Sequence, residues 1–234
     1  MVIYYQKQFL KKIVLLFKIE NIMKKIILYL FIILATTYLF STNIPKNISS
    51  EKIIKIKKKY GKKAERRVIL WDRMLEKTRG QKTIKKLKSV NDFFNKIKYL
   101  SDEKVWKQED YWASPFEFLG VGAGDCEDFA IAKYFALRAL GIPEEKLKIT
   151  YVTLTQKNKS IAHMVLNYYH KPTSTPIILD SLNKKLKLAT KRKDLKPIYS
   201  FNASGLWEAK HITANLKCKG KNKLEKWQSM MSRI

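Results

Sequence analysis

Cys, His and Asp can act together in nucleophilic catalysis, and this chain carries one of each where secondary structure could bring them together. Cys126 follows the glycine-rich segment Gly120–Gly124 and precedes an apolar pattern of helical period, so we predict it in the first turn of a helix. Free N–H groups and the helix dipole at that place stabilise a thiolate. A small core residue explains an isolated Cys equally well.

The base and its orienting carboxylate are predicted on a sheet that follows the helix. Period-two patterns predict the strands Leu147–Thr155 and Ile161–Tyr169 as a hairpin, and a third strand over Pro176–Asp180. His163 lies on the second strand, where alternation lets it point away from the core. Asp180 ends the third strand. Neighbouring antiparallel strands would bring the two side chains together, giving a nucleophile, a base and an orienting residue.

The cysteine lies at the end of the most acidic segment of a basic chain. Between Ser101 and Asp128 eight acidic residues face two lysines, whereas the whole chain has a formal net charge of +28. The acidic residues are Asp102, Glu103, Glu109, Asp110, Glu117, Asp125, Glu127 and Asp128. Carboxylates beside a cysteine oppose thiolate formation by repulsion, and a bound cation would remove that conflict.

The three carboxylates next to the cysteine are the candidate metal ligands. Asp125, Glu127 and Asp128 offer the oxygen ligands that Ca²⁺ prefers over nitrogen and sulfur. Acidic residues in the first turn of a helix also complement the helix dipole without any metal. The residues alone leave the two interpretations open.

The remaining elements predict an α+β fold with N-terminal helices and a catalytic helix packed on an antiparallel sheet. Apolar residues at helical spacing predict helices over Lys62–Lys77, Thr83–Leu100 and from the glycine-rich segment to Leu140. Lys221–Ile234 suggests a terminal helix. Residues 43–60 are predicted to be a mobile lead-in, so the catalytic domain spans residues 61–234.

The N-terminus resembles a secretory signal. Met23 and two lysines precede the apolar run Ile26–Phe40, and polar residues follow it. We therefore predict that residues 1–42 are an N-terminal extension and signal peptide, with the true start at Met23. The run is shorter than the roughly 20 residues of a bilayer span, which favours a cleaved signal over an uncleaved tether.

The positive charge is poor evidence for a nucleic-acid partner. Only seven of the 48 basic residues are Arg, and the lysines are spread along the whole chain. Arginine forks and an aromatic-basic module, which are typical of nucleic-acid recognition, are both lacking. We expect no nucleic-acid binding.

Four sequence blocks resemble the bacterial transglutaminase-like cysteine proteinases of the LapG type. They are Tyr111–Pro115, Gly122–Ala130, Ala162–Leu166 and Leu179–Asn183. The resemblance covers roughly residues 60–215 and implies a papain/transglutaminase-like fold. It places Cys126, His163 and Asp180 in the catalytic positions, and Asp125, Glu127 and Asp128 in the calcium site.

The same resemblance implies a biological role. A LapG-type protein is a periplasmic, calcium-dependent endoprotease that cuts a large adhesin near its N-terminus and so controls biofilm attachment. Its expected partner is an inner-membrane receptor of the LapD type, which sequesters the protease when cyclic di-GMP is high. The membrane is expected to matter only through the signal or an uncleaved anchor.

Two other functions remain compatible with the residues. The same triad could transfer the acyl group to a lysine amine, as a crosslinking transglutaminase does. Alternatively, Cys126 and Cys218 could form a structural disulfide in a catalytically silent binding module.

Overall fold

The computed structural model describes residues 23–24, 48–209, 216–218 and 225–234. Its helices lie mainly in the first half of the described chain and its strands mainly in the second. The principal α-helices are α1 Ser50–Tyr60, α2 Lys62–Thr78, α3 Thr83–Phe94, α4 Asp102–Trp106, α5 Pro115–Val121, α6 Cys126–Ala139 and α7 Glu225–Met231. The strands are β1 Lys98–Tyr99, β2 Ala123–Gly124, β3 Leu147–Gln156, β4 Lys159–Tyr168, β5 Ile177–Leu179, β6 Lys187–Leu188, β7 Leu195–Phe201, β8 Leu206–Ala209 and β9 Leu216–Cys218. The predicted signal peptide falls outside the described residues, apart from positions 23 and 24.

The last part of the predicted mobile lead-in, Ser50–Tyr60, is a helix, whereas residues 43–47 lie outside the described residues. Ser49 caps α1 by accepting a hydrogen bond of 3.2 Å from the backbone N–H of Lys52. Ile53 and Ile56 are three residues apart and lie buried on one face. The lysine-rich composition hid this apolar pair, which packs the helix onto α2 and α5.

The next two helices confirm the predicted pattern, although the second is shorter than predicted. In α2, Val68, Trp71 and Leu75 are buried at three- and four-residue spacings. α3 ends at Phe94 rather than at residue 100, because the chain then extends into β1. β1 pairs in parallel with β2, just before the start of α6, so the ends of the acidic segment are close in space.

Seven of the described strands form one antiparallel sheet in the order β6-β5-β4-β3-β7-β8-β9. The predicted hairpin is β3 and β4, joined by Lys157 and Asn158, which both have positive φ (49° and 60°). Two such residues give the turn type that matches the twist of a hairpin. The predicted third strand is β5. Its pairing with β4 is limited to Leu166, Asn167 and Tyr168 of that strand.

Both faces of the hairpin are buried over the central part of β3 and from His163 onward in β4. Leu147, Ile149 and Leu166 belong to the main core with the apolar side of α6. Val152 and Val165 belong to a smaller apolar cluster, which alternation places on the opposite face. His163 shares that second face, away from the main core as predicted, and is only 1% exposed.

The terminal helix lies inside the predicted range. α7 spans Glu225–Met231 and buries Trp227 and Met230. The Trp227 ring stacks on Phe135 of α6 with a centroid distance of 5.9 Å. None of the helices in the described residues combines the length and apolar character needed to cross a membrane.

Candidate active site

Cys126 is the first residue of α6, as the sequence predicts. Asp125 occupies the N-cap position, and β2 holds the chain immediately before it. The backbone N–H of Met164 in β4 partly offsets the rise in the pKa of Cys126. The thiol donates to Glu127 Oε2 at 3.0 Å.

His163 and Asp180 form a buried pair. The distance between His163 Nε2 and Asp180 Oδ1 is 2.8 Å, and the backbone N–H of Leu182 donates to the same oxygen at 2.9 Å. Burial would raise the pKa of Asp180, but hydrogen bonds from His163, Leu182 and Arg192 outweigh it and hold the pKa at about 2. An ionised Asp180 accepts the Nε2 proton, which leaves Nδ1 of His163 with its lone pair.

β5 is shorter than β4, and the part of β4 that carries His163 extends past the end of β5. β5 pairs with β4 only from Leu166 onward. Met164 lies beyond that pairing, on the part of β4 that is left for contact with α6. Asp180 lies directly after the same strand end, where it binds His163.

The protein groups around Cys126 favour the neutral thiol. Burial raises the pKa of Cys126 well above its usual range, and the carboxylates of Glu127 and Asp125 raise it further. The sequence predicted that the start of the helix lowers the pKa of the thiol. With protein groups alone the pKa of Cys126 is raised instead, so this prediction is wrong. The opposing expectation, that neighbouring carboxylates disfavour the thiolate, is confirmed.

Three carboxylates converge beside the nucleophile. Asp102, Asp125 and Asp128 each offer an oxygen within 4.8 Å of the others. One oxygen of each is buried and has no hydrogen-bond donor among the described residues: Oδ1 of Asp102, Oδ1 of Asp125 and Oδ2 of Asp128. Buried carboxylate oxygens without donors carry a large desolvation cost. A cluster of three carboxylates with such oxygens fits a hard cation that takes oxygen ligands.

Backbone donors fix the other oxygens of this carboxylate cluster. Asp128 Oδ1 accepts from the N–H of Ala113 at 2.8 Å, and Asp125 Oδ2 accepts from the N–H of Asp102 at 3.3 Å. A Cβ at Gly124 would collide with the carboxylate of Asp128 and lie 2.8 Å from the ring of Phe118. Glycine is therefore required at this position for the cluster to form.

The pKa values of the cluster agree with the absence of ion pairs to its three carboxylates among the described residues. Burial raises the pKa of Asp102 to about 7, with repulsion from Asp125 adding to the effect. Burial likewise raises the pKa of Asp128 well above its usual range. A bound cation would reverse these shifts, because it stabilises the ionised carboxylates.

The sequence predicted two members of this cluster and missed the third. Asp125 and Asp128 lie where predicted, but Asp102 is contributed by the start of α4, 23 residues earlier. The acidic segment was the signal that could have found it. Glu127 belongs instead to a second group with Asp102 and Asp110, and it also accepts the thiol hydrogen bond of Cys126.

A set of polar residues behind the triad was missed altogether. Arg192 Nη1 lies 2.8 Å from Asp180 Oδ2, and its Nη2 lies 2.8 Å from Asp194. Lys133 Nζ and Asn95 Nδ2 both donate to the backbone carbonyl of Asp180 at 3.0 Å. These contacts span up to 85 residues, so local patterns could not reveal them.

Cys126 is a free thiol in the structure, which argues against the disulfide of the binding-module hypothesis. The side chain of Cys218, in β9, lies outside the described part of the chain.

Comparison with known proteins agrees with this geometry. A family model described as bacterial transglutaminase-like cysteine proteinase matches residues 61–199. Legionella pneumophila LapG in its calcium-bound form is 44% identical, with a TM-score of 0.68 over 80% of this chain and 99% of that one. The EGTA-treated form is also 44% identical, with a TM-score of 0.69 over 80% and 97%. A search of curated protein sequences gave no match.

The family model covers more than half of the chain, and the identity to LapG extends over most of it. The expected α+β fold of helices and an antiparallel sheet is confirmed. The chain therefore belongs to the bacterial transglutaminase-like cysteine proteinases and is a cysteine peptidase.

Proposed function

We propose that this chain is a calcium-dependent periplasmic endopeptidase that cleaves the N-terminal region of a large surface adhesin. The observation that carries the calcium dependence is the group of three buried, donor-free oxygens on Asp102, Asp125 and Asp128. A LapG structure in the calcium-bound form supports the same ion here.

Asp102, Asp125 and Asp128 would hold the calcium, and Glu127 remains a predicted ligand from the neighbouring group. Bound calcium supplies positive charge that offsets the repulsion between these carboxylates and a Cys126 thiolate. Two of the three carboxylates, Asp125 and Asp128, flank the nucleophile within two residues. The site is therefore close enough to change the reactivity of the thiol.

The catalytic steps follow from the hydrogen bond between His163 and Asp180. His163 takes the proton of Cys126 through Nδ1, because Nε2 donates to Asp180. The sulfur attacks the peptide carbonyl carbon, and the C=O π electrons move to oxygen. Collapse of this intermediate breaks the C–N bond, and His163 returns the proton to the leaving amine. Water then attacks the thioester with His163 as base, which releases the acid and restores the thiol.

The adhesin substrate and the regulation are proposed from the family resemblance. Cleavage near the N-terminus would release the adhesin from the outer membrane and end attachment. An inner-membrane cyclic di-GMP receptor of the LapD type would hold the peptidase when the nucleotide is abundant. Export would depend on the signal sequence at residues 23–42.

One experiment tests the proposal as a whole. The full chain is incubated with the N-terminal region of a large adhesin from the same genome, with calcium or with EGTA, and compared with Cys126→Ala. We expect a new N-terminus only with calcium and intact Cys126. Cleavage that survives EGTA would remove the calcium proposal, and incorporation of a labelled amine in place of hydrolysis would indicate a transglutaminase.

A further inference from the structure

A buried lysine lies on the same helix as the nucleophile. Lys133 is 0% exposed, although lysine is almost never fully buried unless its ammonium is paired. It follows Cys126 on α6 by seven residues, which is close to two helical turns, so the two side chains leave the same face of the helix. α6 packs against β4, the strand that carries His163.

The ammonium of Lys133 binds the backbone of Asp180. Its Nζ donates a buried hydrogen bond of 3.0 Å to the carbonyl oxygen of Asp180. Asn95, the residue after α3, donates to the same oxygen through Nδ2, also at 3.0 Å. Both lone pairs of this oxygen are therefore used. Lys133 links α6 directly to the residue that follows β5 and binds His163.

An aromatic ring on the same helix fixes the direction of the lysine side chain. Nζ lies 5.8 Å from the centroid of Phe129, which is on the turn of α6 between Cys126 and Lys133. The Phe129 ring is buried and packs edge-on against Phe118 with a centroid distance of 4.9 Å. A ring face attracts a cation, so the ammonium is held between Phe129 and the Asp180 carbonyl.

A lysine is unfavourable at this position for packing alone. Burial lowers the pKa of Lys133 to about 7, although the negative charges of Asp180 and Asp92 oppose the shift. An apolar side chain would fill the same space without the cost of burying an ammonium. Asn95 would then still satisfy the carbonyl of Asp180. The link between α6 and Asp180 is what the lysine adds.

We infer that Lys133 is a positioning residue, which fixes Asp180, and through it His163, relative to the helix that carries Cys126. The inference rests on the cysteine peptidase reaction proposed above. In that reaction the proton of Cys126 passes to His163, and a small displacement of two reacting groups slows their reaction strongly. Because Lys133 and Cys126 share one rigid helix, the bond to Asp180 aligns the nucleophile with its base.

The test is a double-mutant cycle on the alkylation of Cys126 by iodoacetamide, with the full chain in saturating calcium. Alkylation requires loss of the thiol proton, and peptide mass spectrometry separates Cys126 from Cys218. The four proteins are the parent chain, Lys133→Met, Asp180→Asn and the double variant. Lys133→Met keeps an unbranched side chain and removes the donor, while Asn95 still binds the carbonyl.

We expect Lys133→Met to slow alkylation about 10- to 100-fold in the parent chain and less than about twofold in Asp180→Asn. Lys133→Gln is measured in parallel so that a folding defect of one variant does not decide the result, and it should show the same dependence on Asp180. Lys86→Met is the matched control. Its ammonium donates to the carbonyl of Leu140 at 2.8 Å, at the other end of α6, and its rate should match that of the parent chain.

An equal loss from Lys133→Met in both backgrounds would overturn the inference, because the lysine would then act without Asp180. An unchanged rate in the parent chain would overturn it as well. Alkylation of Asp180→Asn at the parent rate would remove the triad on which the inference rests. Failure to cut the adhesin fragment, in contrast, would leave the cycle intact, because iodoacetamide needs no natural substrate.

Discussion

The two sides of Cys126 are built on opposite principles. On the His163 side, Asp180 receives hydrogen bonds at both carboxylate oxygens and at its carbonyl. On the Asp102 side, three buried carboxylate oxygens have no donor in the part of the chain that the structure describes. The pKa of Asp180 is held at about 2, while burial raises that of Asp102 to about 7. Protein groups complete one side, and the other needs a cation to complete it.

The largest expected effect comes from disrupting the hydrogen bond between Asp180 and His163. Asp180→Asn keeps the shape of the residue but removes the charge that orients His163. We expect acylation by p-nitrophenyl acetate to fall by about 10³- to 10⁴-fold at every calcium concentration. Asp92→Asn, on the surface of α3, is the control. Recovery of the Asp180→Asn rate with added calcium would contradict the claim that the carboxylate cluster and the His163–Asp180 pair act separately on Cys126.

Breaking the other side should weaken calcium binding rather than the triad. We expect Asp128→Asn to lower calcium affinity by about 100-fold or more in isothermal titration calorimetry, because a buried charged ligand is lost. The unfolding midpoint in EGTA should not fall, since the substitution removes a repelled buried carboxylate. A large loss of stability in EGTA together with unchanged calcium affinity would assign Asp128 a structural role instead.

Lowering the pH should destabilise the fold by protonating Asp180. The pKa of Asp180 is about 2 in the folded chain and near 3.8 when unfolded, so its contribution is full above pH 4 and is lost as pH falls towards 2. The difference corresponds to about 2 kcal/mol. Urea unfolding in EGTA at several acid pH values measures it. Asp180→Asn should flatten this part of the curve, and an unchanged slope would refute the assignment.

The smallest expected effect comes from the residue behind Asp180. Arg192→Lys keeps the positive charge but loses the fork that joins Asp180 to Asp194. We expect kcat to fall about tenfold while KM stays within twofold, because the triad is disturbed and not the substrate contacts. Calcium affinity should be unchanged. A change in KM alone would place Arg192 in substrate binding.

Sequence reasoning succeeded where the signal was local. The start of α6 at Cys126, the hairpin carrying His163 and the strand before Asp180 all follow from patterns within about 15 residues. It failed where contacts are distant in the chain. Asp102 joins Asp125 across 23 residues, and only the pairing of β1 with β2 brings them together.

Two features of the fold could not be predicted from the sequence: the helix at the start of the domain and the burial of the sheet face that carries His163. The lysines of Ser50–Tyr60 concealed Ile53 and Ile56, which pack the helix on the domain. His163 points away from the main core as predicted, but a second apolar cluster with Val152 and Val165 also buries that face of the sheet. Alternation along a strand indicates which side chains share a face, and it does not indicate what covers that face.

The most direct test of calcium control joins both sides of the nucleophile in one rate. Alkylation of Cys126 by iodoacetamide is followed while free calcium is raised from an EGTA-buffered start, in the parent chain and in Asp102→Asn. We expect the parent rate to rise at least about tenfold as the carboxylate charge is offset, and the variant to need far more calcium. An identical alkylation rate in EGTA and in calcium would contradict the proposed coupling of the calcium site to the thiol.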